Sequence, residues 1–490
     1  MSAESPYPLE PSAALMHAQV EAAMARIVPH LDSLPDQKSA DVFGAVDLAR
    51  EISGPMPEAG KPFDEILDLL FNRAIPKSFN TAGPGYLAYI PGGGLFAAAL
   101  ADLIADTANR YTGVFAAAPA LAQLEADALA WLGSLAGFPS AARGFFTSGG
   151  SLANWSALVV ARRERLPENF LAGTIYASDQ VHHSMVKAAL LAGFPPDRVR
   201  EIPTDDLYRM RPDLVAERIA ADRAAGLTPF LLVASAGTTN TGAVDPLEDL
   251  ADLAEREKLW LHVDGAYGAC FLLTEAGKKT FRGLERADSL SIDPHKGLFL
   301  PYGIGALLVR DGEALRRAHA VGADYMPYLQ SDPDLVDFCE ISPELSKPFR
   351  GLRLWLALQL HGVQAFRDAL EEKLALTQFA ADELRVIPEI EILAEPQLSV
   401  VAFRHRPPGL EGAALGILNE WNRNLLDRIN ARGRVYLSGT HLRGAFAIRI
   451  CVLSFRTHRD RMEACLEDLR AAIAEGGIER RGARAEDASD

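Results

Sequence analysis

From about residue 140 the chain alternates short apolar runs of β character with amphipathic helical stretches, and this alternation constrains the fold most strongly. A parallel strand pair needs a long crossover, usually a helix, so the pattern argues for a largely parallel sheet. The runs fall at 144–147, 174–177, 229–234, 260–263, 289–292 and 304–309. The predicted fold is therefore α/β: a central, mostly parallel sheet with helices on both faces. A smaller α+β domain follows, with strands near 399–404, 435–437 and 445–452.

The expected organisation is a helical arm over 1–75, a large α/β domain over 76–345, a small domain over 346–475 and a disordered tail over 476–490. A helix near 13–31 has no compact unit of its own, which suits an arm packed on a partner subunit. Residues 78–94 are rich in glycine and proline and form a loop with Tyr86, Tyr89 and Gly92, a backbone of the kind that lines pockets, although such a loop is more often a plain connection. Residues 311–345 hold no long regular element in the pattern, and 324–348 is polar and dotted with proline. Loops beyond about 12–15 residues are usually functional or disordered.

Strand ends in open α/β sheets are where ligands bind, and four of them here carry chemistry. The first leads into Ser148-Gly149-Gly150-Ser151 and then a helix over 152–165. Its glycines let backbone N–H groups approach an oxyanion closely, and the helix start adds its positive end. An ordinary strand-to-helix turn capped by serine has the same composition. The second is followed by Asp179-Gln180-Val181-His182-His183-Ser184. A histidine there can lie flat on an aromatic ring or cap the next helix.

The third, Trp260-Leu261-His262-Val263, ends in Asp264-Gly265-Ala266-Tyr267. A buried aspartate is costly unless a cation pairs with it. A protonated pyridine nitrogen is such a cation, while helix capping is the competing use. The fourth, Ser289-Leu290-Ser291-Ile292, ends in Asp293-Pro294-His295-Lys296. A lysine at that tip can carry a pyridoxal phosphate aldehyde as a Schiff base, although a lone lysine is most often a solvated surface residue. Taken in order, the four ends supply a phosphate cradle, a ring-stacking partner, a pyridinium partner and an amine. One molecule, pyridoxal phosphate, needs them all.

Composition removes other classes. A net charge of −16 over 490 residues leaves no basic excess for nucleic acid. The four cysteines (Cys270, Cys339, Cys451, Cys465) are widely spaced, which fits neither a disulfide framework nor a zinc site. No metal site is expected. The acidic start lacks the basic and apolar regions of a secretory signal, and the apolar runs are too short or broken to span a bilayer. A cytoplasmic protein is expected.

The motifs Tyr176-Ala177-Ser178-Asp179-Gln180-Val181-His182, His262-Val263-Asp264-Gly265-Ala266-Tyr267 and Asp293-Pro294-His295-Lys296 resemble the group II pyridoxal-phosphate-dependent decarboxylases, the family of aromatic-L-amino-acid and glutamate decarboxylases. The resemblance covers nearly the whole chain. It implies the fold type I architecture, a homodimer with the active site at its interface, and decarboxylation of an L-amino acid to an amine and CO2. It also implies roles: His182 stacks on the ring, Thr239 contacts the ring or its substituents, Asp264 pairs with the pyridine nitrogen and Ala266 lies beneath. Residues 148–151 hold the phosphate with help from His295, and Lys296 carries the aldehyde.

Candidate substrate-pocket residues are Tyr89, Gly92, Tyr111 and Phe338. Thr81, Gly92 and Gly113 stand where aromatic decarboxylases present Trp, Thr and Phe, so an aromatic or bulky substrate is favoured only modestly. Counting back from Phe349-Arg350-Gly351-Leu352 puts Phe338 where the family carries a proton-donating loop tyrosine; a one-residue shift gives Asp337. No tyrosine lies between Tyr328 and Tyr436, and phenylalanine has no proton to give. Tyr325 and Tyr328 could substitute if the loop folds differently. In plant relatives phenylalanine there goes with oxygen-consuming aldehyde formation, which is one alternative. A C–C lyase of the same fold is another, and a non-catalytic binding protein a third.

Overall fold

The computed structural model describes residues 7, 9–321, 332, 335–410 and 412–487, with side-chain surroundings described as far as residue 476. Among these residues seven strands form one sheet: β1 (Arg143–Thr147), β2 (Gly173–Ser178), β3 (Val199–Ile202), β4 (Thr228–Ser235), β5 (Trp260–Asp264), β6 (Ser289–Ile292) and β7 (Gly305–Val309). Their order is β1-β7-β6-β5-β4-β2-β3. β7 runs antiparallel to both β1 and β6, and the other neighbours are parallel. A second sheet holds β8 (Ile390–Ala394), β9 (Val400–His405), β10 (Ser438–Leu442) and β11 (Ala445–Cys451), antiparallel in the order β10-β11-β9-β8.

Burial of β2, β4, β5, β6 and β7 follows from their composition. Phe230, Leu231, Leu232 and Val233 are buried in β4, and Leu261, Val263, Leu290 and Ile292 in β5 and β6. Parallel strands covered on both faces read as such continuous apolar runs. Two of them break the rule on one face only. β5 carries Trp260, His262 and Asp264 at alternate positions, and the β6 segment carries Ser289, Ser291 and Asp293. Successive strand side chains alternate faces, and the register pairs His262 with Ser289 and Asp264 with Ser291. A polar stripe thus runs through the middle of an apolar sheet, towards the helix Gly150–Arg165, which packs across β4 to β7.

A separate apolar cluster, including Val401, Phe403, Leu425, Ile448, Ile450 and Leu466, lies around the second sheet. The two helices predicted over 349–360 and 363–384 are both present within Gly351–Arg385, parted at Gly362, whose φ of 67° is left-handed. Glycine takes that backbone conformation without strain. The sequence pattern put no long element in 311–345, yet Gly312–His319 is helical, and Asp311 Oδ1 accepts the Glu313 N–H at 3.1 Å. Two further differences concern strands. β10 starts at Ser438, after the predicted 435–437, because Tyr436 bonds instead to the 85–87 segment through Gly85 and Leu87. The short strands β3 and β8 were not predicted. The tail expected to be disordered over 476–490 is instead helical as far as Asp487, continuing the helix Arg459–Asp487.

Candidate active site

At the carboxyl ends of β2, β4, β5 and β6 lies a pocket of about 330 Å³. Its lining includes Gly149, Gly150, Ser151, His182, Thr239, Asp264, Ala266, His295 and Lys296, so every residue named for the cofactor faces one cavity. The Lys296 ammonium lies 3.1 Å from Asp293 Oδ2, and His295 Nε2 is 3.6 Å from the same oxygen. His295 Nδ1 donates to the Ile304 carbonyl at 2.6 Å, which anchors the imidazole to the start of β7. Asp293 itself is buried, and among the described residues its Oδ1 has no partner.

Asp264 is buried and well supplied with donors. Asn154 Nδ2 donates to its Oδ2 at 2.8 Å, while Ser291 Oγ and the Ala266 N–H donate to Oδ1 at 3.1 and 3.2 Å. Burial pushes this carboxyl upward, but the Lys296 charge, His262 and the Asn154 bond together hold it below the usual aspartate value. Asp264 is therefore an anion inside the protein. For Lys296, burial pulls the amine down, but Asp293 and Asp264 outweigh it and raise the amine above the ordinary lysine value. Burial lowers His182 and His295, against the opposing pull of nearby aspartates.

The cradle is shaped by what is missing from it. A Cβ at Gly150 would come within 3.0 Å of both the Ala266 Cβ and Asp293 Oδ2. A Cβ at Gly305, where β7 passes the cradle, would meet Asp293 Oδ1 at 2.4 Å and Gly149 at 2.7 Å. The first amides of the helix Gly150–Arg165 have no intrahelical partner and are the natural ligands of an anion. An amine, an anionic carboxylate at a strand end, a histidine and an open helix start form a donor set that fits pyridoxal phosphate. Lys296 would hold its aldehyde carbon, Asp264 its ring nitrogen, and residues 149–151 with His295 its phosphate.

The four residues expected around the substrate are not brought to this pocket in the same chain. Tyr89 is about half exposed, in a left-handed conformation with φ 52°. Gly92 lies behind the lysine turn: a Cβ there would sit 2.0 Å from the His295 carbonyl oxygen, so the glycine-rich loop closes against that backbone. Tyr111 donates its hydroxyl to the Leu345 carbonyl at 2.9 Å. Phe338 is wholly buried in the main core, with the Lys347 ammonium 4.6 Å above its ring. The Phe115 N–H donates to Asp337 Oδ1 at 2.7 Å and the Cys339 N–H to the Gly113 carbonyl at 3.0 Å, and these bonds fix Phe338 in place between them. Tyr325 and Tyr328 lie outside the described residues.

Sequence reasoning missed Asn154, Ser184, His262, Ser291 and Asp293 as parts of the site. Their signal was the period-two polar stripe on β5 and β6, together with an asparagine one turn into the cradle helix. It also missed Arg449 of β11, which is buried. Its guanidinium donates to the carbonyls of Thr239 (2.5 Å), Asn240 (2.9 Å) and Tyr89 (3.3 Å) and to Ser438 Oγ (2.8 Å). One side chain from the second sheet thereby ties together the Thr239 turn and the Tyr89 loop.

The pyridoxal-dependent decarboxylase conserved domain matches residues 48–406. The chain is 34% identical over 453 residues to an aromatic-L-amino-acid decarboxylase of Bacillus atrophaeus, covering 92% of this chain and 94% of that one. It is 30% identical over 422 residues to a phenylacetaldehyde synthase of Petunia hybrida, with 83% of each chain covered. Among solved structures, Oryza sativa TDC with PLP and tryptamine superposes with a TM-score of 0.91 at 28% identity, covering 96% of this chain and 99% of that chain.

Proposed function

Since this chain belongs to the pyridoxal-dependent decarboxylase family, we propose that it releases CO2 from an L-amino acid with an aromatic or otherwise bulky side chain, leaving the amine. It is a pyridoxal-phosphate-dependent carboxy-lyase acting on an amino acid, built on the fold type I architecture. The observation that carries the reading is the convergence of Lys296, Asp264, His182 and the 149–151 cradle on one pocket.

When bound, the cofactor supplies an electron sink for the bond to the departing carboxylate. The chain's own groups do the rest. Lys296 would hold the aldehyde through its amine. Asp264, kept anionic by its donors, holds a proton on the ring nitrogen. His182 would cover one ring face and Ala266 the other, and Thr239 would contact the ring or its substituents. Gly149, Gly150, Ser151 and His295 hold the phosphate and fix the register of ring against lysine.

The active form in this reading is a homodimer with the site completed at its interface. Exposed apolar side chains on the N-terminal arm support it, among them Leu15, Met16, Val20 and Val28 on the helix Ala13–Asp32, and Phe43 and Met56 beyond it. So does the outward placement of Tyr89 and Tyr111, which a second copy would cover. The small-molecule substrate is the partner expected beyond that second copy. No described helix is long and apolar enough to cross a membrane.

A panel of L-amino acids, with amine, aldehyde, CO2 and peroxide all measured, tests the proposal. Amine and CO2 in equal amounts from a bulky or aromatic substrate is the expected result. The similarity to a phenylacetaldehyde synthase favours one alternative. In it, oxygen is consumed and aldehyde, ammonia and peroxide appear in place of the amine.

A further inference from the structure

The polar stripe on β5 and β6 continues as one buried chain of hydrogen bonds, and every bond in it has a determined direction. Asp264 as an anion can only accept, so Asn154 turns its amide nitrogen to Asp264 and its oxygen to His262, 3.0 Å away. His262 must then carry its proton on Nε2. Its Nδ1 accepts from Ser289 Oγ at 2.9 Å, and Ser289 accepts from Trp260 Nε1, a donor only, at 2.8 Å.

The second amide hydrogen of Asn154 goes to Ser184 Oγ at 3.0 Å. Ser184 passes its own hydroxyl hydrogen to His182 Nδ1 at 2.7 Å, which also accepts the Ser184 backbone N–H at 3.3 Å. His182 therefore carries its proton on Nε2. Asn154, Ser184, His262, Ser289 and Trp260 are all buried, so losing one of these bonds leaves its partner unsatisfied at a cost.

We propose that Asn154 is the positioning residue for both groups that face the cofactor ring. One amide hydrogen fixes the Asp264 carboxylate and preserves it as the acceptor for the ring nitrogen's proton. The other, through Ser184, sets the tautomer and the plane of His182. Asn154 lines the same pocket and acts on the ring through the two residues it bonds. The inference rests on the cofactor assignment above and adds the residue that tunes it.

The test uses the holoenzyme loaded with pyridoxal phosphate carrying 15N in its ring, whose chemical shift reports protonation of that nitrogen. The unaltered enzyme should show a protonated nitrogen. Asn154→Ala should move the signal towards the unprotonated form and weaken retention of the cofactor roughly ten- to hundredfold, the scale of one hydrogen bond to a charged group. Ser184→Ala, which cuts only the His182 branch, should leave the nitrogen signal where it was. If Asn154→Ala does not fold, Asn154→Leu decides the matter, because it keeps the side chain's bulk, offers Asp264 no donor and should move the signal the same way. An unchanged signal and unchanged retention in the variant that folds would overturn the role of Asn154. Failure of the unaltered enzyme to take up the labelled cofactor would instead overturn the cofactor assignment.

Discussion

The Lys296 ammonium sits 3.1 Å from Asp293 Oδ2, inside a pocket that Asp264 also lines. Burial works against the charged amine, and the two aspartates more than restore it, so protonated lysine dominates at neutral pH. Taking up an aldehyde requires the neutral amine. Cofactor loading of the cofactor-free protein should therefore accelerate as pH rises towards the raised lysine value. Asp293→Asn removes one of the charges that raise it and should shift that loading profile to lower pH. Stopped-flow absorbance across a pH series measures both, and coincident profiles would contradict the pairing.

Asp264→Asn keeps the size of the side chain and removes its charge. Loss of one preorganised electrostatic group costs roughly 10²–10³-fold in turnover, and a fall of that order is expected in kcat, with weaker cofactor retention. Near-normal turnover would remove Asp264 from the mechanism.

Much of the site was legible because its parts lie at strand ends, where a change from apolar to polar residues is conspicuous in sequence. Gly149, His182, Asp264 and Lys296 each follow such a run. Asn154 was not legible in the same way, since an asparagine within a helix reads as an ordinary polar position until β5 is seen beneath it. Arg449 was hidden for a different reason. Its partners Thr239 and Tyr89 are 210 and 360 residues away in sequence, and no local pattern reports such a contact. Phe338 was placed by counting along the chain, which fixes its neighbours in sequence and not the direction of its ring.

His262 gives the protein a specific sensitivity to acid. Burial lowers its pKa to about 4, against 6.5 for an ordinary histidine. Above pH 6.5 both folded and unfolded forms leave it neutral, and it contributes nothing. Between 6.5 and about 4 the unfolded form takes up a proton that the folded form refuses, so stability falls as pH falls. The slope from this one group is about 1.4 kcal/mol per pH unit. His262→Gln should flatten the fall in denaturation midpoint across that window relative to the parent protein. Parallel curves would show that His262 is protonated in the folded state.

Lys347 and Glu125 form a fully buried ion pair, and Glu125 also accepts the Gly351 N–H at 3.1 Å. Removing only the cation leaves a buried carboxylate uncompensated. Lys347→Ala should cost about 3–5 kcal/mol of stability, while Lys347→Met combined with Glu125→Gln should cost far less. Equal losses in a denaturation series would mean that packing over Phe338, and not charge, is what Lys347 supplies.

The central claim is that the amine of Lys296 holds the cofactor's aldehyde carbon. Borohydride reduction of the purified holoenzyme, followed by proteolysis and mass spectrometry of the peptides, tests it most directly. The account predicts a pyridoxyl-phosphate adduct on Lys296 alone, absent from Lys296→Ala. An adduct on another lysine, or none on a protein that still turns over substrate, would contradict it.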